Sequence, residues 1–260
     1  MKSVLCYPGS KQLVKEWILK FVPQHSVYLE PFFGSGSIFF EKEKVKIEII
    51  NDIDNDIYNY FKVLRDYPNE IIEKIIFTPF SSLEYKKARD LNDNDDFIEK
   101  ARKFAILCYF GIGNSAVYRS GFRRSKSATS SNKAKTWSEL PTQLQEATVR
   151  LKNAIIENDD AQKLVERYNN SDVFIYCDPP YVLSTRKEHL YKYDMSDDQH
   201  VKLLSALKKH KGKVMISGYD NDLYNSLLSG WHKECIETAA ERGKRIECIW
   251  MNYSIQQTLF

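Results

Sequence analysis

Apolar residues along this chain fall into two patterns, short continuous runs and stripes at helical spacing. Val27-Tyr28-Leu29, the set Ile47, Ile49 and Ile50, Val173-Phe174-Ile175-Tyr176 and the stretch Lys213 to Ser217 read as buried strands. Leu13, Val14, Trp17, Ile18 and Phe21 recur at helical spacing until Pro23, and Ile57, Tyr60, Phe61 and Leu64 form a second stripe. Ile38 to Lys42 starts a helix after the glycine turn Gly34-Ser35-Gly36, and Asp222 to Leu228 predicts a short one. Ser196-Asp197-Asp198-Gln199 has the spacing of a capping box, opening a helix that turns Val201, Leu203, Leu204 and Leu207 to the core. Ile246 to Tyr253 predicts a final strand paired with the stretch around Cys235. Strand, glycine turn, helix and a strand ending in an acid make a βαβ unit, so the fold class is α/β with a parallel, Rossmann-like sheet. Residues 65–149 lack that rhythm and read as an inserted helical subdomain, leaving residues 1–64 and 150–260 as one domain.

At 260 residues with 43% hydrophobic content, the chain can bury a large core, and its net charge of +3 permits a nucleic-acid partner without requiring one. Charge distribution says more. Between Tyr118 and Trp137 stand Arg119, Arg123, Arg124, Lys126, Lys133 and Lys135 with no acid, the footprint of a phosphate-backbone contact or of a solvated loop. The five cysteines form no Cys-x-x-Cys pair and no metal-ligand spacing with the five histidines. Three lie inside apolar runs, which fits reduced core thiols. The longest apolar segment, Phe104 to Phe110, is too short to span a bilayer, and no signal peptide opens the chain. A soluble intracellular protein without a metal is the expectation.

The densest chemistry lies in Cys177-Asp178-Pro179-Pro180-Tyr181. It follows a buried strand, where open α/β sheets place ligands, and the prolines make the chain leave the sheet rigidly. Asp178 then offers acceptors and Tyr181 a stacking surface to a planar base with an amino group, although Asp-Pro and Pro-Pro also punctuate ordinary turns. Gly34-Ser35-Gly36 lacks the third glycine of a dinucleotide fingerprint, with Phe39 three residues after Gly36. Its place between strand and helix, with Asp52 ending the next strand, suits an adenosine ligand without a pyrophosphate, such as S-adenosylmethionine. Asp52 is there an acceptor for ribose hydroxyls or a helix N-cap. Lys11 after Pro8-Gly9 is either a cation for the cofactor's carboxylate or a solvated lysine at a helix start. Asp160 either accepts from the cofactor's adenine amino group or caps the next helix.

The ordered set Tyr7-Pro8-Gly9-Ser10-Lys11, Glu30-Pro31-Phe32-Phe33-Gly34-Ser35-Gly36, Asn51-Asp52-Ile53 and Asp178-Pro179-Pro180-Tyr181 resembles the Dam-type DNA adenine methyltransferases. Ser184-Thr185-Arg186, Ser217-Gly218-Tyr219 and Met251-Asn252-Tyr253 are similar to later stretches of the same family. Ser10 stands where the family often has a second glycine, and Ala161 replaces a larger residue after Asp160. The resemblance implies a site-specific, S-adenosylmethionine-dependent enzyme that methylates the 6-amino group of an adenine flipped out of double-stranded DNA. Asp178, Pro179, Pro180 and Tyr181 are then catalytic, with Asp178 also near the cofactor. Tyr7, Lys11, Glu30, Phe32, Gly34, Gly36, Asp52, Ile53 and Asp160 hold the cofactor. In the insertion, the target-recognition subdomain, Tyr118, Arg119, Phe122, Arg123, Arg124 and Lys126 contact DNA, Tyr118 and Phe122 as wedges or stacking surfaces. Such an enzyme works in the cytoplasm, encoded by a bacterium or a phage, with a cognate restriction endonuclease as a partner in restriction-modification. Methylation of the cytosine 4-amino group uses the same chemistry, though its motif more often begins with Ser than Asp. A catalytically silent DNA-binding regulator on the same fold is the alternative from another class.

Overall fold

In the computed structural model, residues 3–90, 94–114, 121–125, 132–185, 192–240 and 243–254 are described. The elements run α1 (Lys15–Leu19), β1 (Val27–Glu30), α2 (Ser37–Glu41), β2 (Ile47–Asn51), α3 (Asn55–Asp66), α4 (Pro68–Ile76), α5 (Ser82–Arg89) and α6 (Phe97–Phe110). They continue as α7 (Lys133–Leu151), β3 (Ala154–Glu157), α8 (Ala161–Arg167), β4 (Val173–Cys177), α9 (Asp197–Lys209), β5 (Lys213–Tyr219), α10 (Asp222–Leu227), β6 (His232–Ala240) and β7 (Gly243–Met251). Seven strands form one sheet in the order β3-β2-β1-β4-β5-β7-β6. β1 pairs in parallel with both β2 and β4, and β4 with β5, whereas β7 runs antiparallel to β5 and to β6. This is the Rossmann-like α/β sheet expected from the strand rhythm, with an antiparallel edge at β7 and β6 that the rhythm did not reveal.

By contacts the chain divides into two compact units. One comprises Met1–Ser10, Gly34–Glu41 and Asp54–Ile156; the other Lys11–Phe33, Lys42–Ile53 and Glu157–Phe260. The first includes residues 65–149 and extends beyond them, because α3 packs on α6 and α7 and the Phe40 ring lies 6.1 Å from Phe61. Ile57, Tyr60, Phe61 and Leu64 face inward as their spacing predicts, and Asp54 caps α3 by accepting from the Asp56 amide.

Trp137 of α7 anchors this unit. Its indole donates to the Thr78 carbonyl at 2.7 Å and meets the Phe110 ring edge-on at 4.8 Å. Trp137→Phe leaves that buried carbonyl without its donor, so a loss of about 1–3 kcal/mol is expected in urea unfolding. An unchanged midpoint would remove Trp137 from its anchoring role.

The second unit buries the sheet core. Leu29, Ile49, Ile175, Cys177, Val214, Ile216 and Trp250 pack with Leu203, Leu204 and Leu207 of α9. The capping box forms as the sequence predicts, with Ser196 and Gln199 bonding reciprocally.

Three expectations need correction. The first stripe is not one helix: a 3-10 turn at Lys11–Leu13 precedes α1, which changes the phase and leaves Leu13 87% exposed. Val201 lies at the margin of its stripe and is exposed. Cys6, Cys108 and Cys177 are free thiols, but Cys235 and Cys248 form a disulfide. Those two sit directly opposite on β6 and β7, with Cα atoms 4.1 Å apart, so strand register joins residues that show no pairing motif.

Candidate active site

The sheet's order reverses between β1 and β4, and β4, fully buried from Val173 to Cys177, delivers Asp178 at that point. The Asp178 side chain is 17% exposed and has a partner on each oxygen. Lys11 Nζ lies 2.7 Å from Oδ2, and the Ser217 hydroxyl donates to Oδ1 at 2.7 Å. Ser217 reaches it because Cys177 pairs with Ile216, which sets the next residues of β4 and β5 side by side. Lys11, 6% exposed, also holds its ammonium 4.7 Å from the centre of the Tyr181 ring. The solvated-lysine reading is therefore wrong: the 3-10 turn points Lys11 inward, where a carboxylate and a ring compensate its burial.

Tyr181 follows the buried Pro179 and half-buried Pro180. Its hydroxyl donates to Glu247 Oε2 at 2.6 Å, and the Tyr219 ring meets it edge-on at 4.5 Å and 73°. Arg245 Nη1 in turn donates to the Tyr219 hydroxyl at 2.8 Å. Burial pushes the Tyr181 phenol well above its ordinary value, and the Asp178 and Glu247 charges push the same way. Burial also raises the Glu247 carboxyl, against the opposing pull of Lys11 and of the Tyr181 hydrogen bond. With 8% of Tyr181 exposed, the stacking surface is narrower than the sequence suggests.

The other strand ends are tied together by Asn51. Its Nδ2 donates to the Pro31 and Asp159 carbonyls at 2.8 and 3.0 Å, while its Oδ1 accepts from the Asp159 amide at 2.9 Å. The Asn158 amide group donates to the Asp52 carbonyl at 2.8 Å. Asp52 is half-buried and Ile53 exposed. The helix cap falls on Asp54, which removes the capping alternative for Asp52. Asp160 does cap α8, its Oδ1 accepting from the Gln162 and Lys163 amides at 2.9 and 3.2 Å. Glu30, 2% exposed, accepts from the Tyr28 hydroxyl, and Phe32 packs on the sheet core.

In the other unit, Gly34 and Gly36 have φ of 49° and 65°, a left-handed conformation that favours glycine. A Cβ at Gly34 would stand 3.7 Å from the Tyr7 ring. Ser10 joins the turn: its hydroxyl lies 2.8 Å from that of Ser37 and 3.0 Å from that of Ser35.

A family model described as D12 class N6 adenine-specific DNA methyltransferase matches residues 7–243. The chain belongs to this family. Type II methyltransferase M.MjaIII of Methanocaldococcus jannaschii is 28% identical over 97% of this chain and 99% of its own length. Type II methyltransferase M1.LlaDCHI of Lactococcus lactis subsp. cremoris is 24% identical, covering 94% of this chain and 93% of itself. The DNA adenine methylase of Haemophilus influenzae is 25% identical over 88% of this chain and 83% of its own length. The resemblance read from the motifs is thus correct, and the D12 enzymes' adenine specificity favours the 6-amino group over the cytosine 4-amino group.

In this D12 methyltransferase the structure brings Lys11, Asp178 and Tyr181 together, a juxtaposition that the motifs taken one by one do not predict. Of the expected DNA contacts, Tyr118, Arg119 and Lys126 lie outside the described residues, as does Arg186. Phe122 is half-buried against Phe80, Tyr85 and Phe110, with the Arg124 guanidinium 5.3 Å from its ring centre, so its ring packs instead of projecting as a wedge. Arg124 is exposed, and the Arg123 amide donates to the Phe110 carbonyl. Sequence reasoning gave Ser217, Glu247 and Asn51 no individual role. A carboxylate within the strand Ile246 to Tyr253 was the available signal for Glu247.

Proposed function

We propose that this enzyme transfers a methyl group from S-adenosylmethionine to the 6-amino group of an adenine flipped out of double-stranded DNA. The observation that carries the reading is Asp178, held at the reversal of strand order between the Lys11 ammonium and the Ser217 hydroxyl. The donor set suits the cofactor: a buried cation for its carboxylate in Lys11, and a half-buried acceptor for ribose hydroxyls in Asp52. Gly34 and Gly36, whose left-handed φ favours glycine, take their cofactor roles from the family motifs. So do Tyr7, Glu30, Phe32, Ile53 and Asp160. When bound, S-adenosylmethionine supplies an electrophilic methyl group on a sulfonium.

Adenine's amino nitrogen is a poor nucleophile because its lone pair is delocalised into the ring. Hydrogen bonds from its two hydrogens to the Asp178 carboxylate and the Pro179 carbonyl favour a pyramidal nitrogen with an available lone pair. A carboxylate has about four lone-pair positions, so Asp178 can accept from an amino group as well as from Lys11 and Ser217. The same acceptors stabilise the positive charge that develops on nitrogen. Pro179 and Pro180 fix the carbonyl's direction, and Tyr181 stacks on the base.

Residues 65–149 serve as the target-recognition insertion, with Tyr118, Arg119, Arg123, Arg124 and Lys126 at the DNA and Phe122 packed behind them. The type II relatives support a role in restriction-modification beside a cognate endonuclease. Among the described residues no helix is long and apolar enough to cross a membrane. A DNA substrate supports work in the cytoplasm. Unmethylated genomic DNA treated with the enzyme and cofactor, then digested to nucleosides, is expected to yield N6-methyldeoxyadenosine by mass. N4-methyldeoxycytidine alone would overturn the choice of base, and no methylated nucleoside would favour the silent regulator.

A further inference from the structure

We infer that Glu247 is a positioning residue for the target base, acting by fixing the Tyr181 ring from its far end. The inference rests on the proposed function and adds a residue that lies outside the 7–243 stretch matched by the family model. An aromatic ring that stacks on a flipped base must hold a defined plane, and rotation about its two side-chain bonds otherwise blurs that plane. Tyr181 is held at its hydroxyl by a 2.6 Å bond to Glu247, and along its edge by Tyr219 at 4.5 Å between ring centres. Both supports come from one place in the sheet, since Tyr219 of β5 and Glu247 of β7 are register partners. Arg245 closes the set by donating to the Tyr219 hydroxyl at 2.8 Å with its guanidinium 5.5 Å from that ring's centre.

Keeping a carboxylate in this half-buried place is costly, and burial raises its pKa. The reward is a charge-assisted hydrogen bond, shorter and stiffer than a neutral one, to the side chain whose plane matters most. Asp178 is fixed by Lys11 and Ser217, so acceptor and ring have separate supports.

The test is a double-mutant cycle on transfer to unmethylated bacterial genomic DNA, which contains every short target. Glu247→Ala is expected to lower kcat/KM for DNA about tenfold through lost orientation, with S-adenosylmethionine affinity unchanged by calorimetry. Tyr181→Phe should cost a similar factor, and the double variant no more than either single one. Glu247→Gln, which keeps an acceptor, should regain most of the activity. Wild-type activity in Glu247→Ala, or single losses that multiply in the double variant, would overturn the inference. If Glu247→Ala does not fold, the same cycle is run with Glu247→Met, which keeps the length of the side chain but offers the Tyr181 hydroxyl no oxygen acceptor. An inert Asp178→Ala control beside unaffected Glu247 variants sinks this inference alone, whereas full activity in that control sinks the proposed function.

Discussion

Asp178→Ala is expected to reduce methyl transfer by about 10²–10⁴-fold while leaving S-adenosylmethionine binding within a few-fold of wild type. The size follows from what the carboxylate supplies in the proposed transfer: an acceptor for the amino group, and a fixed negative charge, on a side chain 17% exposed, where positive charge develops. Deletion also leaves Lys11, buried over the Tyr181 ring, without its 2.7 Å counter-charge. A thermal melt must therefore accompany the assay. Asp178→Asn separates the two effects, since an amide oxygen still accepts from Ser217 but brings no charge. Single-turnover transfer should fall in both variants, less in Asn than in Ala. Wild-type turnover in Asp178→Ala would refute the assigned chemistry outright.

How much of this was legible beforehand depends on the range of the interaction. The strand-ending Asp178, the glycine turn and the capping box at Ser196 depend on neighbours within a few residues, and all were readable. The parallel core followed from short all-apolar runs, which only a strand covered on both faces tolerates. What escaped depends on register. Ser217 beside Asp178, Glu247 beneath Tyr181 and Cys248 opposite Cys235 are brought together by pairings of β4, β5, β6 and β7. A shift of one residue in any of those pairings would turn the partner to the opposite face. Lys11 shows the same limit from the other side. Its motif marked it as a cation, but nothing local in the chain reveals a carboxylate 167 positions away. Leu13 failed for a smaller reason, a 3-10 turn that breaks the helical phase.

Lys11→Met gives the second large effect. Methionine keeps an unbranched apolar stem against the Tyr181 ring while removing the ammonium, so packing changes little and charge changes fully. Two losses coincide: in the proposed site the cofactor's carboxylate loses its cation, and Asp178 keeps only Ser217 as a charge-stabilising partner among the bonds described. Truncating one member of a buried, hydrogen-bonded ion pair costs about 2–5 kcal/mol. The partial exposure of Asp178, 17%, places the stability cost toward the lower end. Cofactor affinity and turnover together are expected to fall about a hundredfold to a thousandfold in kcat/KM. Lys11→Met with Asp178→Asn then tells structure from function. Neutralising both partners removes the uncompensated charge, so melting temperature should recover toward wild type, yet activity should stay as low as in the worse single variant. Lys11→Met binding S-adenosylmethionine with wild-type affinity would confine Lys11 to holding Asp178 in place. Recovery of activity along with stability in the double variant would mean that the pair holds the fold and takes no part in the transfer.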